Sequence, residues 1–507
     1  MVVPSMNSEP VERFVYQVGL SRLNEAVISS HFMEAIARDG ALQPYTDEAL
    51  KRRSITISQT ALDGLLIPTL MDAARAFAEE RASVAADRAR RHFRAYGLAD
   101  AAAVGEAEII AEVMFDRQFS RKSDATCSRG AVRDRIRERL LGDRTVELVI
   151  PALPFKIESP LKARGTMPDL AEVGFLLSLY EIALALETVS SRIDPGARKL
   201  RSRFVVVSDG LRFASLANVP VETIARYRHG LEAWVARLGM TDHIVLWDYR
   251  ELLERLLPPE TLAEKRRIAA SARRLYADVL GPVFDPCAMD RTFEISRTIE
   301  PDPEGENADG RFVSLLRSLV YTVNYRALEA LEVPASVRYA VYRELTASLF
   351  EPLEETALVP GTLVRKEAVR QAMLEEAWNA AIDYMAEIKS DRDLAQDPIL
   401  TCLPDAIRWT IHAKAGQFAI ATPSVGGSMV QAWAGSGLFR LTSNGVVRLC
   451  SYPVLGLEGG GAVPVMVSPD DSLDPQPLFY VDGKIDVADA EMFLGELAHC
   501  FTRRRLK

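Results

Sequence analysis

Three short stretches carry most of the residues with chemistry to offer. The first, L-V-I-P-A-L-P-F-K-I-E-S-P-L-K-A-R-G-T-M-P-D-L-A-E, runs from Leu148 to Glu172 and sets Lys156, Lys162 and Arg164 among Glu158, Asp169 and Glu172. Lysine and arginine held on a stiff loop can grip a phosphate as charged donors. The bland alternative is a solvated surface loop made rigid by its prolines. The second stretch, R-F-V-V-V-S-D-G-L-R-F, presents Ser208, Asp209, Gly210 and Arg212. Asp209 there has the chemistry to bind an ammonium group or act as a base, with Arg212 available to a phosphate or carboxylate. Aspartate and glycine are also ordinary turn residues. The third, A-I-R-W-T-I-H, alternates strictly and puts Arg408 and His412 on one strand face. An arginine beside a histidine suits carboxylate binding with proton transfer. A half-exposed sheet face reads the same way.

The elements that must position these residues follow from local pattern. Leu148–Ile150 is an apolar run fit for a buried strand, and Pro151, Pro154 and Pro160 force an extended loop after it. Asp169 and Glu172 have capping-box spacing and open a helix, whose free N–H groups favour an anion if they face a pocket. Leu170, Val173, Leu176, Leu177, Tyr180 and Leu184 give that helix a buried face. Asp194-Pro195-Gly196 is a turn, and Phe204–Val207 is a second buried strand. Strand, helix, strand predicts a right-handed βαβ unit, with ligands beyond the carboxyl ends of the strands. Val221–Leu238 reads as a helix, Ile244–Trp247 as a third strand and Glu251–Leu280 as helix again.

The residues P-F-K, S-P-L-K, P-D and S-D-G-x-x-F, with I-R-x-x-I-H near Arg408, resemble the isonitrile (isocyanide) synthase family, PvcA-like and fungal dityrosine-biosynthesis proteins among them. The resemblance is specific from about Leu148 to Leu256. It implies condensation of an amino acid's α-amino group with ribulose 5-phosphate and formation of an isonitrile, with no cofactor. On this reading Lys156, Asp209 and His412 are catalytic. Lys162, Arg164, Asp169, Glu172, Ser208, Gly210, Arg212 and Arg408 bind substrate. The implied partners are small molecules, an amino acid and a sugar phosphate, with a homo-oligomer left open. The family's T-P-W-H is not found after His412; Trp433 stands nearby without a histidine. Two other readings stay open: a diverged member acting on another amine or sugar phosphate, and a non-catalytic α/β protein that binds a phosphorylated metabolite.

The whole chain sets the frame. Its 507 residues allow several domains. The expected fold class is α/β: a helical region over 1–143, a Rossmann-like parallel-sheet core over 144–300, a helical segment over 301–398 and a β-rich subdomain over 399–507 that completes the active site, either separate or an extension of the central sheet. Within the first region Ser58–Phe93 is the clearest long helix. Residues 300–310, rich in acid, proline and glycine, are the best linker, and Ala488–Phe501 is a closing helix. A net charge of −9 argues against a general nucleic-acid binder. Five scattered cysteines fit a reducing compartment, and no histidine spacing indicates a metal. No run of about 18 apolar residues and no basic-then-apolar start appear, so no membrane span or secretory signal is expected and the cytoplasm is the expected compartment.

Overall fold

The computed structural model describes residues 54–95, 105–123, 129–157, 163–193, 199–217, 219–301, 310–316, 319, 349–354, 365–411, 418–421, 431–441, 447–454, 457, 462–467 and 476–481. The central strand is β3 (Thr145–Pro151). It pairs in parallel with β4 (Arg201–Ser208) through seven residue pairs, from Thr145 with Arg201 to Pro151 with Val207. On its other side it pairs in parallel with β6 (Ile407–Thr410), Val149 lying opposite Arg408. Strands β5 (Ile244–Asp248) and β7 (Phe418–Ile420) extend the two wings in parallel, and β2 (Ser120–Ser123) closes one edge antiparallel to β7. The sheet order is β2-β7-β6-β3-β4-β5. The chain therefore leaves β3 toward β4 and β5, then returns to the opposite side for β6 and β7. This is the order of a doubly wound sheet, and its crevice opens beyond the carboxyl ends of β3 and β6.

Period-two alternation divides the core. Val146, Leu148, Ile150, Phe204, Val206, Ile407 and Trp409 face one side. Val149, Val205 and Val207 face the other, against α7 (Tyr249–Leu256) and α11 (Pro398–Cys402). On the first side lies α4 (Leu170–Ile193), the crossover from β3 to β4. It also packs on α1 (Ile67–Ala95) and on β8 (Ser436–Leu441) and β9 (Val447–Tyr452) of a second sheet. That sheet has the order β1-β10-β11-β8-β9, with β1 at Ile55–Ile57, β10 at Val463–Val467 and β11 at Phe479–Val481. Being covered on all sides explains why α4 is apolar around most of its circumference. It is long and apolar enough to cross a membrane, yet 72% of its most apolar window is buried inside the protein.

Two expected boundaries move. Residues 1–143 were expected to be helical, and α1, α2 (Glu106–Met114) and α3 (Arg129–Leu141) are. The same region also supplies β1 to one sheet and β2 to the other, because each is a short strand that completes an otherwise open edge. The β-rich stretch after 399 divides between the sheets: β6 and β7 finish the parallel core, and β8 to β11 build the second sheet. Glu251–Leu280 is two helices, α7 and α8 (Pro259–Leu280), broken at Leu257-Pro258. The turn that follows β4 continues into α5 (Gly210–Phe213), and α6 (Val221–Arg237) leads to β5. A separate core joins α8, α9 (Met289–Ile299) and α10 (Lys366–Arg392) around Tyr276, Phe293, Phe312 and Trp378. The linker of 300–310, the turn at 194–196 and the closing helix fall largely or wholly outside the described residues.

Trp409 fixes the register of β6. It is fully buried, stacked on Phe418 at 5.0 Å or less between centroids (4.9 Å) and set edge-on to Phe204 at 5.9 Å. Trp409→Ala is expected to lower unfolding free energy by about 3–5 kcal/mol in urea titration. A loss below about 1 kcal/mol would contradict this packing.

Candidate functional site

The described residues of the loop after β3, 152–157 and 163–169, are buried or half-buried. Leu153 lies in the left-handed region at φ 57° and is buried. Ser208 Oγ donates to its carbonyl at 3.0 Å, which fastens the loop to the end of β4. Gly210 is required here by close approach: a Cβ would stand 2.1 Å from the Pro154 carbonyl oxygen. Further on, Gln476 receives the Met167 N–H at 3.1 Å and donates to the Met167 carbonyl at 3.0 Å. Gly165 turns at φ 73° beneath that amide, where any side chain would collide with it.

Lys156 has no solvent exposure. Its ammonium stands 2.8 Å from Asp169 and 2.9 Å from Glu172, both also fully buried. The capping box is formed as its spacing predicts: the Asp169 N–H donates to Glu172 at 3.0 Å and the Ala171 N–H to Asp169 at 2.6 Å. The same Asp169 oxygen accepts from the Gly437 N–H at 3.1 Å, and Tyr227 donates to Glu172 at 3.1 Å. Burial pushes the Lys156 ammonium down, but the two carboxylates outweigh it and the net direction is up. Burial pushes Glu172 up to about 8, Lys156 opposing and Asp169 assisting. At neutral pH Glu172 therefore holds a proton, and Lys156 balances Asp169. Lys156, expected to be catalytic, and Asp169 and Glu172, expected to bind substrate, are thus sealed against one another and away from solvent. The helix start is closed by its own capping residues and by Gly437. Arg164 is buried as well, not displayed on a loop surface. Lys162 and His412 lie outside the described residues.

A second constellation gathers on the other face of the sheet. Asp209 follows β4 and is partly exposed. Burial raises its carboxyl to about 6; Arg212 and its own N–H oppose this, while Asp248 and Asp391 add to it. Arg212 is not a free clamp, which corrects a second expectation. Its guanidinium bonds Glu387 at 3.0 Å and Asp391 at 2.7 Å, between the rings of Phe213 and Tyr249 at 4.9 and 4.7 Å. Tyr249 donates to Asp391 at 2.7 Å, and Lys265 stands 2.8 Å from the same carboxylate. Burial works to raise Asp391, but Arg212 and Lys265 prevail and hold it below the ordinary carboxylate range. Tyr384 stacks on Phe213 at 4.5 Å, and burial pushes its phenol up to about 12, with Asp209 next in effect.

Arg408 completes the group from β6. Its side chain is 13% exposed and its Nε lies 3.5 Å from Asp397. Buried Nε and Nη1 have no hydrogen-bond acceptor among the described residues. Burial holds the guanidinium below its ordinary value despite Asp397, Tyr249, Asp391 and Asp209. A buried arginine with unmet donors is arranged to receive an anion, because leaving those donors dry is costly.

Residues 136–307 match the family described as pyoverdine/dityrosine biosynthesis protein. Through this segment the chain is similar to the PvcA-like isonitrile synthase family. The L-tyrosine isonitrile synthase of Xenorhabdus nematophila is 32% identical over 107 residues, 21% of this chain. The match spans 30% of that relative's length. A crystal structure of the PvcA protein from Pseudomonas aeruginosa aligns over 73% of this chain and 99% of its own, at 18% identity and a TM-score of 0.40. The family segment contains β3, α4, β4, β5 and α7 to α9, and so both constellations draw on it.

Tyr249, Lys265, Tyr384, Glu387, Asp391 and Asp397 were not singled out from sequence. Tyr384, Glu387 and Asp391 recur at i, i+3 and i+7 on α10, a polar stripe that helical spacing makes visible. Nothing local says that α10 lies against β4. Among the described residues no cluster of three or more His, Cys, Asp or Glu is placed to hold a metal ion.

Glu172 gives a stability test. Its pKa is raised in the folded chain, so its contribution is complete below the unfolded value near 4.5 and is lost as pH rises through about 8. Melting temperature is expected to fall from pH 5 to pH 8, and Glu172→Gln to flatten that fall. An unchanged slope in the variant would show that Glu172 does not titrate there.

Proposed function

We propose that this chain is an isonitrile-synthase-like enzyme of secondary-metabolite biosynthesis. It converts the α-amino group of an amino acid to an isonitrile, with ribulose 5-phosphate as the one-carbon source. The observation that carries the reading is the pairing of Arg408, buried with two unmet donors, with Asp209, a partly exposed carboxyl raised to about 6. Arg408 lies on β6 and Asp209 directly after β4, on the two sides of β3, and Asp209 acts electrostatically on the Arg408 guanidinium. The family match over residues 136–307 and the similarity to a tyrosine isonitrile synthase give further support.

In this reading Arg408 takes the amino acid's carboxylate, the one group that all such substrates share. Asp209, ionised above about pH 6, removes a proton from the substrate's ammonium. The freed amine adds to the ketone and water leaves, giving an imine. Proton removal, elimination of the phosphate and cleavage of both carbon–carbon bonds at the former ketone carbon then leave that one carbon on nitrogen, the other carbons departing as a one-carbon and a three-carbon carbonyl fragment. Tyr384, held against Phe213 beside Asp209, is placed to hold a hydroxyl of the sugar. Arg212, Lys265 and Asp391 act as positioning residues through their mutual ion pairs. His412, the second proton carrier by strand alternation, and Lys162 keep their assignments from sequence.

A member acting on another amine or sugar phosphate is the second reading, favoured by the absence of T-P-W-H after His412. Purified protein, ribulose 5-phosphate and a panel of amino acids separate the two by product mass and by the infrared band of the isonitrile. The rate is expected to rise with pH through about 6, as Asp209 loses its proton. Asp209→Asn is expected to cut turnover about 100-fold or more with the circular dichroism unchanged. Turnover unaffected by Asp209→Asn, or none with any amino acid, would overturn the assignment.

A further inference from the structure

Asp209 and Arg212 stand three positions apart at the start of α5, a spacing at which an acid and a guanidinium ordinarily pair. Here they do not. The Asp209 carboxylate makes no capping bond to α5, and no ion pair reaches it among the described residues. All three nitrogens of the Arg212 guanidinium are committed to α10 instead. Nε donates to the Glu387 carboxylate at 3.0 Å, Nη2 to the Glu387 carbonyl at 2.7 Å and Nη1 to Asp391 at 2.7 Å.

Asp391 is itself fixed. Its other oxygen accepts from Tyr249 on α7 at 2.7 Å and faces the Lys265 ammonium on α8 at 2.8 Å. A carboxylate held by donors from three elements does not follow Arg212 if that side chain moves. The position of the guanidinium is therefore set by α10, far along the chain, and not by the turn that carries it.

The groups acting on Asp209 come from several elements. Burial raises its carboxyl to about 6; Arg212 and its own N–H oppose this, while Asp248 at the end of β5 and Asp391 on α10 add to it. Tyr384 on α10 and Arg408 on β6 feel its charge in turn. A guanidinium in direct contact lowers a carboxyl by about 1–3 pH units. A carboxylate paired in that way is also a poorer proton acceptor.

We propose that Asp391, with Glu387, is a positioning residue that withholds Arg212 from Asp209 and so keeps this carboxylate unpaired at the end of β4. That Asp209 acts as the base rests on the proposed function; the withholding of Arg212 from it does not. Docking of α10 against the turn after β4 thereby governs the acid of the crevice. Without that hold Arg212 turns to Asp209 and neutralises it.

A double-mutant cycle on the full chain tests this. The aspartates are labelled with 13C at the carboxyl carbon, and the Asp209 resonance is assigned by its loss in Asp209→Asn. Its titration midpoint is compared in the unaltered chain, Asp391→Asn, Arg212→Gln and the two together. Asp391→Asn is expected to lower the midpoint by about one pH unit or more while Arg212 is present, and by much less in the Arg212→Gln background. A fall of equal size in both backgrounds would show Asp391 acting only as a distant charge and would sink the proposal. Circular dichroism checks each fold. Glu387→Ala, at a side chain 35% exposed, removes one of the three holds and is expected to move the midpoint in the same direction by a smaller step. Should Asp391→Asn not fold, an unmoved midpoint in Glu387→Ala decides against the idea. The pH dependence of isonitrile formation is read separately. An acid limb that tracks the Asp209 midpoint through the cycle supports both the base and its positioning. A midpoint that moves with no isonitrile formed, or with an acid limb that stays put, removes the assigned role of Asp209 and leaves the withholding of Arg212 standing.

Discussion

A lysine with no access to water sits at the carboxyl end of the central strand, and the arrangement around it constrains everything nearby. A buried ammonium is tolerated only when paired and hydrogen-bonded. Lys156 meets that demand with Asp169 and Glu172, the two residues that also cap α4. One cluster therefore ties together the loop after β3, the start of the crossover helix and, through Gly437, the second sheet. Removing Asp169 would strand the Lys156 ammonium in the core, and removing Lys156 the Asp169 carboxylate. The described ends of the loop are thereby tied down, at Lys156 and Asp169 by the ion pairs and at Met167 by Gln476.

That tethering matters because the loop forms one bank of the crevice at the switch point. The other bank is Ser208-Asp209-Gly210, pressed so close to Pro154 that only glycine fits at position 210. The fixed loop leaves Asp209 and Arg408 facing the opposite side of the sheet from Lys156. Charges divide accordingly. On the α4 side they are fully matched and sealed. On the α7 and α10 side some are matched, Arg212 with Glu387 and Asp391, and one is left incomplete, Arg408, whose Nε and Nη1 meet no hydrogen-bond acceptor among the described residues. Incomplete charge at the carboxyl ends of parallel strands is the feature that separates a binding site from structural ion pairing.

The helical unit has a definite part in this. Its core around Trp378 folds on its own side chains, yet one polar stripe of α10 reaches across to Arg212, Tyr249 and Lys265. Tyr384 on that stripe stacks on Phe213, one turn beyond Asp209. A segment more than 150 positions away in the chain thereby sets the electrostatics of the acid at the end of β4.

Much of this was legible from the chain alone. Apolar runs with prolines and glycines after them identify β3, β4 and β5, the capping-box spacing of Asp169 and Glu172 identifies the start of α4, and alternation in Ile407–Ile411 assigns Trp409 to the core and Arg408 to the other face. These are local properties, decided by periodicity and backbone sterics over a few residues. Whether a charged residue meets water or another charge is not local. Lys156 and Arg408 look alike as basic residues beside apolar strands, yet one is neutralised by the helix cap and the other has two donors without an acceptor among the described residues. That difference is set by which side of β3 the returning chain places β6, and by where α10 comes to rest, because Coulomb pairing and burial depend on distance in space and not on separation along the chain.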